Sequence, residues 1–221
     1  SNSRSASYYS WMWKRAKGFF DVVAYTGTGS VRTVAHSLGV VPEMMWFKKR
    51  NGATGWQVYT AEGAGSRYLH LDENYTYSTH SSRFNNTAAT SSVFTVGTGG
   101  PTNGSSKTYI AYIFATLAGI SKCGTYTGNG SNQTINCGFS AGSRFILIKR
   151  TDADGSTSNW YVWDSVRGIV AGNDPHLHLN DTPAEVTSND SIDPHNSGFI
   201  VNQLSATNIN VSSGTYIFYA I

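Results

Sequence analysis

Charge is scarce in this 221-residue chain: Lys, Arg, Asp and Glu together make up only 13% of it. A helical bundle needs Glu, Lys, Leu and Ala on its faces, so the profile disfavours one. Cysteine is limited to Cys123 and Cys137, with no Cys-x-x-Cys partner, and a zinc site wants four ligands. No apolar stretch approaches the ~20 residues that span a bilayer. Ser1 to Ser10 lacks the basic-then-apolar build of a secretory signal. A dense basic stripe is also missing. Net charge is +3, and the tight basic clusters, Lys14, Arg15, Lys17 and Lys48, Lys49, Arg50, read as solvated loops and strand ends. Neither nucleic-acid binding nor membrane insertion is expected.

Uncharged polar residues fill the space: 28 Ser, 23 Thr, 17 Asn and 23 Gly, with aromatics at 13%. So many aromatics argue against disorder, and the whole reads as a Ser/Thr/Gly-rich β protein. Charge is uneven. Residues 1–118 hold 11 basic and 5 acidic side chains (+6), and 119–221 hold 5 and 8 (−3).

An internal repeat organises the chain. Tyr25-Thr-Gly-Thr-Gly-Ser30 recurs as Tyr126-Thr-Gly-Asn-Gly-Ser131, and Lys49-Arg50 as Lys149-Arg150. Trp56-Gln-Val58 returns as Trp160-Tyr-Val162, and Leu69-His-Leu71 as Leu177-His-Leu179. Asn103 to Tyr112 matches Asn210 to Tyr219 at seven positions in ten. The offset grows along the match, which places extra loop residues near Gly168 to Pro175. Between Gly/Asn/Ser turns the apolar residues alternate with period two, as in short strands. The predicted fold is all-β: two tandem homologous antiparallel β-sandwich, jelly-roll-like repeats, 18–118 and 119–221, packed together, with six or seven strands each. The short apolar link Ala115 to Gly119 favours close packing over flexible beads. Residues 1–17 lie outside the repeat and read as a connector from an upstream part. Its run Tyr8-Tyr-Ser-Trp-Met-Trp13 is too aromatic for a free tail in water.

Candidate chemistry is sparse. Cys123 and Cys137 bracket the turn at Gly128 to Ser131, so a cross-strand disulfide is one reading and two small buried thiols the other. His176 and His178 stand two apart and would share one strand face, with Asp174 and His195 as further candidate neighbours, but repeat 1 offers Tyr68 and His70 there, so no metal site is expected. Asp152-Ala-Asp154-Gly155 lacks the remaining ligands of a calcium loop and reads as a hairpin turn. No nucleophile elbow or paired-carboxylate pattern appears, so no catalytic residues, no enzyme and no cofactor are expected. Trp56 and Trp160 hold matched places and are expected in the core. Tyr75, Tyr77 and Trp163 fall in loop-like or outward positions. With Asp174, His176 and His178 they form a candidate ligand surface, because aromatic faces beside polar groups suit both sugars and subunit contacts.

The runs Trp11 to Val23, His36 to Met45, Ser121 to Phe139, Trp160 to Asp164 and Ile200 to Ser213 resemble a module found in tail-fibre and other virion proteins of marine tailed phages, cyanophages especially. The resemblance covers nearly all of residues 8–221. It implies a virion structural protein, the distal domain of a tail fibre or appendage, assembled in the host cytoplasm. Its partners would be other virion proteins, itself as a homotrimer, and a host-surface glycan or protein. A capsid or tail decoration protein with a purely structural role is the alternative, and a polysaccharide depolymerase a more distant one.

Overall fold

The computed structural model describes residues 9–155 and 158–221. Among the described residues each repeat contributes eight strands, one of them only two residues long. Repeat 1 holds β1 (Phe20–Thr26), β2 (Arg32–Ala35), β3 (Met44–Lys49), β4 (Gln57–Thr60), β5 (Arg67–His70), β6 (Ser78–Thr79), β7 (Val93–Val96) and β8 (Thr108–Phe114). Two single helical turns, α1 (Ser81–Phe84) and α2 (Gly100–Asn103), interrupt it. Repeat 2 holds β9 (Lys122–Thr127), β10 (Gln133–Asn136), β11 (Phe145–Arg150), β12 (Trp160–Asp164), β13 (Leu177–His178), β14 (Ile192–His195), β15 (Gly198–Val201) and β16 (Thr215–Ala220).

The strand orders repeat as the sequence does. The large sheets run β1-β8-β3-β4-β5-β6 and β9-β16-β11-β12-β13, and the small sheets run β2-β7 and β10-β15-β14, all antiparallel. β14 has no counterpart in the two-stranded small sheet of repeat 1. The predicted all-β class holds, with the last strand of each repeat inside its large sheet. The structural register corrects one sequence match. Lys49 pairs with Tyr109 and Arg150 with Tyr216, so Lys48-Lys49, not Lys49-Arg50, is the counterpart of Lys149-Arg150.

Three cores follow from strand alternation. In β3, Met45 and Phe47 face an outer core with Tyr25, Phe84 and Phe94, closed by β2, β7 and α1. In β12, Tyr161 and Trp163 face the matching outer core with Ile192, Phe199 and Tyr216. The other faces of both large sheets meet each other: Met44, Trp46, Val58 and Phe114 pack against Phe145, Leu147, Trp160, Val162 and Tyr219. The large sheets are therefore apolar on both faces, which is why their strands read as near-continuous aromatic and β-branched runs. The sandwich of each repeat is backed by the other. Across the seam, Phe114 and Tyr219 sit 4.9 Å apart, and Trp160 Nε1 donates to the His70 carbonyl at 2.8 Å.

The most repetitive sequence builds a duplicated polar lock. Asn103 is fully buried, receives the Thr28 N–H on Oδ1 and donates to the Ser30 and Gly97 carbonyls. Asn210 does the same with Asn129, Ser131 and Val201. Beside each lies a stacked tyrosine pair, Tyr25 on Tyr109 and Tyr126 on Tyr216, whose hydroxyls donate to the neighbouring loop carbonyls. Gly27 and Gly128 permit the approach: a Cβ would lie 2.3 Å from the Gly104 carbonyl oxygen at one and 2.2 Å from that of Val211 at the other.

The segment expected to be a connector is part of the fold over its described length, with residues 1–8, Tyr8 among them, outside that description. Arg15 pairs with the buried Asp21 at 2.6 Å. Trp13 lies against Phe20, Trp46 and Phe114 of repeat 1 and Phe145 of repeat 2. Trp11 packs on Phe145 and donates its indole N–H to Asp164 at 2.9 Å. Asp164 also takes the buried Arg167 guanidinium at 2.8 Å, whose face is covered by the rings of Tyr9 and Trp11. The segment straps the two repeats together.

The cysteines are both free and buried. The disulfide reading assumed a hairpin, but β9 pairs with β16 and β10 with β15, in different sheets. Cys123 faces the central core and Cys137 the outer core of repeat 2. Burial pushes both thiols up, Cys137 to about 12.

Candidate functional site

The residues expected to form a ligand surface are scattered by the fold. Trp163, expected to face outward, is 0% exposed, because alternation along β12 turns it into the outer core beside Tyr161 and His176. Asp174 and His176 are buried as well. Burial lifts the Asp174 carboxyl to about 7, although it accepts the Val170 and Ile192 N–H groups, and Asp190 and Asp193 raise it further. Burial lowers His176 to about 4. His178 lies half-buried, with Nδ1 2.8 Å from Asp181. Tyr77 sits under the Arg67 guanidinium at 4.3 Å, and its hydroxyl is shared with Thr60 and donated to Glu62. Tyr75 alone stands well exposed, at 54%. Of the six, three are scaffold, two are held by their own neighbours and one is a free surface ring.

The arrangement that could take a ligand lies elsewhere. The repeats pack so that matched positions are unequally covered. Trp160, Tyr219 and Cys123 of repeat 2 are buried, whereas their counterparts Trp56, Tyr112 and Val22 of repeat 1 are half-exposed. Trp56, expected in the core like Trp160, stands at the edge instead. The difference opens a cleft of about 490 Å³ between the large sheets. Its walls are Trp56, Tyr112, Val22 and Trp46 from repeat 1 and Phe145 from repeat 2, with Leu71 and Leu179 following β5 and β13. Trp11 and Trp13 bound it from the strap. Trp56 and Tyr112 stack 6.1 Å apart, and the Lys48 ammonium lies 5.5 Å from the Trp56 ring while donating to the Thr54 carbonyl. The Trp46 indole N–H is buried without a hydrogen-bond partner. Asp72 beside Leu71 accepts the Trp56 N–H, and Asn180 beside Leu179 accepts that of Trp160.

The volume is that of a small-ligand site, and the lining is aromatic with few polar atoms. Sequence did carry a signal for it. Leu71 and Leu179 belong to a repeated block, and Trp11 and Trp13 lie in the aromatic run. Their convergence required knowing that the two large sheets meet.

A second groove between the repeats, about 270 Å³, brings Glu43, Glu62 and Thr60 to one wall and Cys123 and Ile217 to the other. Its carboxylates are already engaged. Glu43 accepts the Thr116 N–H, and Glu62 pairs with Arg67 at 3.0 Å. Among the described residues, no three His, Cys, Asp or Glu side chains group as a metal ligand set. No helix among them is long and apolar enough to cross a membrane.

A family model described as a domain of unknown function, DUF7483, matches residues 1–221. The chain belongs to the DUF7483 family. The match takes in both repeats and the strap. No curated protein and no solved structure matches the chain.

Proposed function

We propose that this DUF7483 chain is a non-enzymatic attachment module of a phage virion appendage, which holds a host-surface saccharide in the cleft between its repeats. The observation that carries the reading is the half-exposed Trp56–Tyr112 stack in a cleft of about 490 Å³. Aromatic faces hold the C–H faces of sugar rings, while the Lys48 ammonium beside the Trp56 ring offers a donor to hydroxyls. The support is rigid. Both large sheets are packed on two faces, and ordering the site in advance lowers the entropy cost of binding. Asp174 and His176, both moved well away from their ordinary ionisation by burial, lie in the scaffold and not in the cleft, which supports binding over catalysis. Assembly as a homotrimer would let three weak sites act together.

A second reading is favoured by the apolar lining: the cleft receives a segment of another virion protein, and the module is structural. One experiment separates the two. Purified chain and its Trp56→Ala variant are titrated against a glycan array, host-envelope fractions and purified virions. Glycan and envelope binding that falls at least tenfold in the variant supports attachment. Binding to virions alone, equally reduced, supports assembly and overturns attachment.

A further inference from the structure

Both repeats carry the same lysine–tryptophan pair, and only the pair in repeat 2 is closed. Lys149 is fully buried, and its ammonium donates to the Ser158 carbonyl of its own repeat and, at 3.3 Å, to the Asn74 carbonyl of the other. Asp154 and Asp152 of the adjoining hairpin act on its charge, and Asp154 in turn accepts the Thr76 N–H. The Trp160 indole N–H goes to the His70 carbonyl. One stretch of repeat 1, residues 70–76, therefore supplies acceptors to both donors of the repeat 2 pair and docks on the aspartate beside them.

Lys48 and Trp56 hold the matching places beside the cleft, and among the described residues no hydrogen bond from repeat 2 reaches either. Lys48 keeps only the bond within its repeat, to the Thr54 carbonyl at 2.6 Å, and an ammonium has three donors. The hairpin Asn51-Gly-Ala-Thr-Gly55 has no acid where repeat 2 has Asp152 and Asp154. Among the described residues no carboxylate lies within ion-pair distance of Lys48, and Asp72 is held by the Trp56 backbone N–H. Resting on the saccharide reading of the cleft, the geometry points to an acidic sugar as its ligand: a ring on the Trp56–Tyr112 stack whose carboxylate takes the open Lys48 donors. The finished pair shows what such a ligand must bring, since Lys149 is served by a carbonyl oxygen with a carboxylate close by. A carboxylate on an ammonium beside an aromatic wall makes a charge-assisted hydrogen bond, stronger than one to a neutral hydroxyl.

The test is an array of uronate-containing, sialylated and neutral glycans, read with the full chain and with Lys48→Met. Tryptophan-fluorescence titration of the strongest carboxylated binder and of its methyl ester follows. The ester removes the ligand's charge on the wild-type chain, so the result does not depend on the variant folding. Binding should be confined to carboxylated members and fall at least about tenfold on esterification and in Lys48→Met, and it should weaken as salt rises. Neutral members bound as tightly, or indifference to both the ester and Lys48→Met, would overturn the acidic class and leave the saccharide reading standing. No bound glycan of any kind would overturn both.

Discussion

Asn210→Ala tests the duplicated lock directly. The side chain is fully buried, receives the Asn129 N–H at 3.0 Å, and donates to the carbonyls of Ser131 and, at 3.2 Å, Val201. Alanine strands all three. Asn129 and Ser131 lie in an exposed turn, where water can replace the lost partner, at about 0.5–1.5 kcal/mol each. The Val201 carbonyl stays inside, and an orphaned buried group costs about 1–3 kcal/mol. The sum is about 2–6 kcal/mol, or a fall in Tm of about 4–24 °C for a body of this size. Asn103→Ala should cost a similar amount, because its three bonds are the same. The assay is urea unfolding followed by tryptophan fluorescence and circular dichroism. The shared central core couples the repeats, so both probes should report one transition in either variant. A loss below about 1 kcal/mol would refute the lock. A split transition, with the mutated repeat melting alone, would refute the coupling.

Two further predictions rest on named atoms. Asp174 keeps its proton in the folded state up to about pH 7 but loses it near 4 when unfolded, so it lowers stability as pH rises through that interval. His176, held neutral down to about pH 4, lowers stability as pH falls from 6.5, and His178 and Arg167 push the same way. The slopes oppose each other, each about 1.4 kcal/mol per pH unit at most, so their joint contribution is flat between about pH 4 and 6.5. Asp174→Asn should expose the His176 slope, with stability dropping on acidification, and a variant as flat as wild type in urea midpoints would contradict it. Gly128→Ala drives a methyl into the Val211 carbonyl and should lose about 3 kcal/mol or more. Gly100→Ala meets nothing within 4 Å and should melt within a few degrees of wild type. Equal Tm values for the two would show that the close approach is not a constraint.

Much of the fold was legible because the repeat marks places where backbone geometry leaves few choices. Tyr-Thr-Gly-x-Gly-Ser and Asn-x-Ser-Ser-x-Thr-Tyr recur because Gly27 and Gly128 touch backbone, Gly29 and Gly130 hold positive φ near 75°, and each buried Asn needs the same three partners. The lysine-rich blocks slipped by one residue for the opposite reason. Lys48 and Lys149 both reach a loop carbonyl, of Thr54 and Ser158, and a run of like residues carries no mark of register. The cysteine pairing failed because a turn between two strands does not say whether they stay in one sheet. Here the chain crosses from the large sheet to the small one.

The candidate site was far less legible. Alternation shows that Trp163 and Trp160 face opposite sides of β12, yet both sides are buried, so neither ring is free. Trp56 and Trp160 occupy equivalent positions, yet Trp160 is buried in the central core while Trp56 is only partly covered at its margin. The sequence by itself determined the all-strand class, the two repeats and the tight turns, since these rest on contacts within one repeat. Only the tertiary structure decided which aromatic rings close the central core and which line the cleft. That choice depends on the offset between two apolar faces, and each strand carries its own face but not its partner's position.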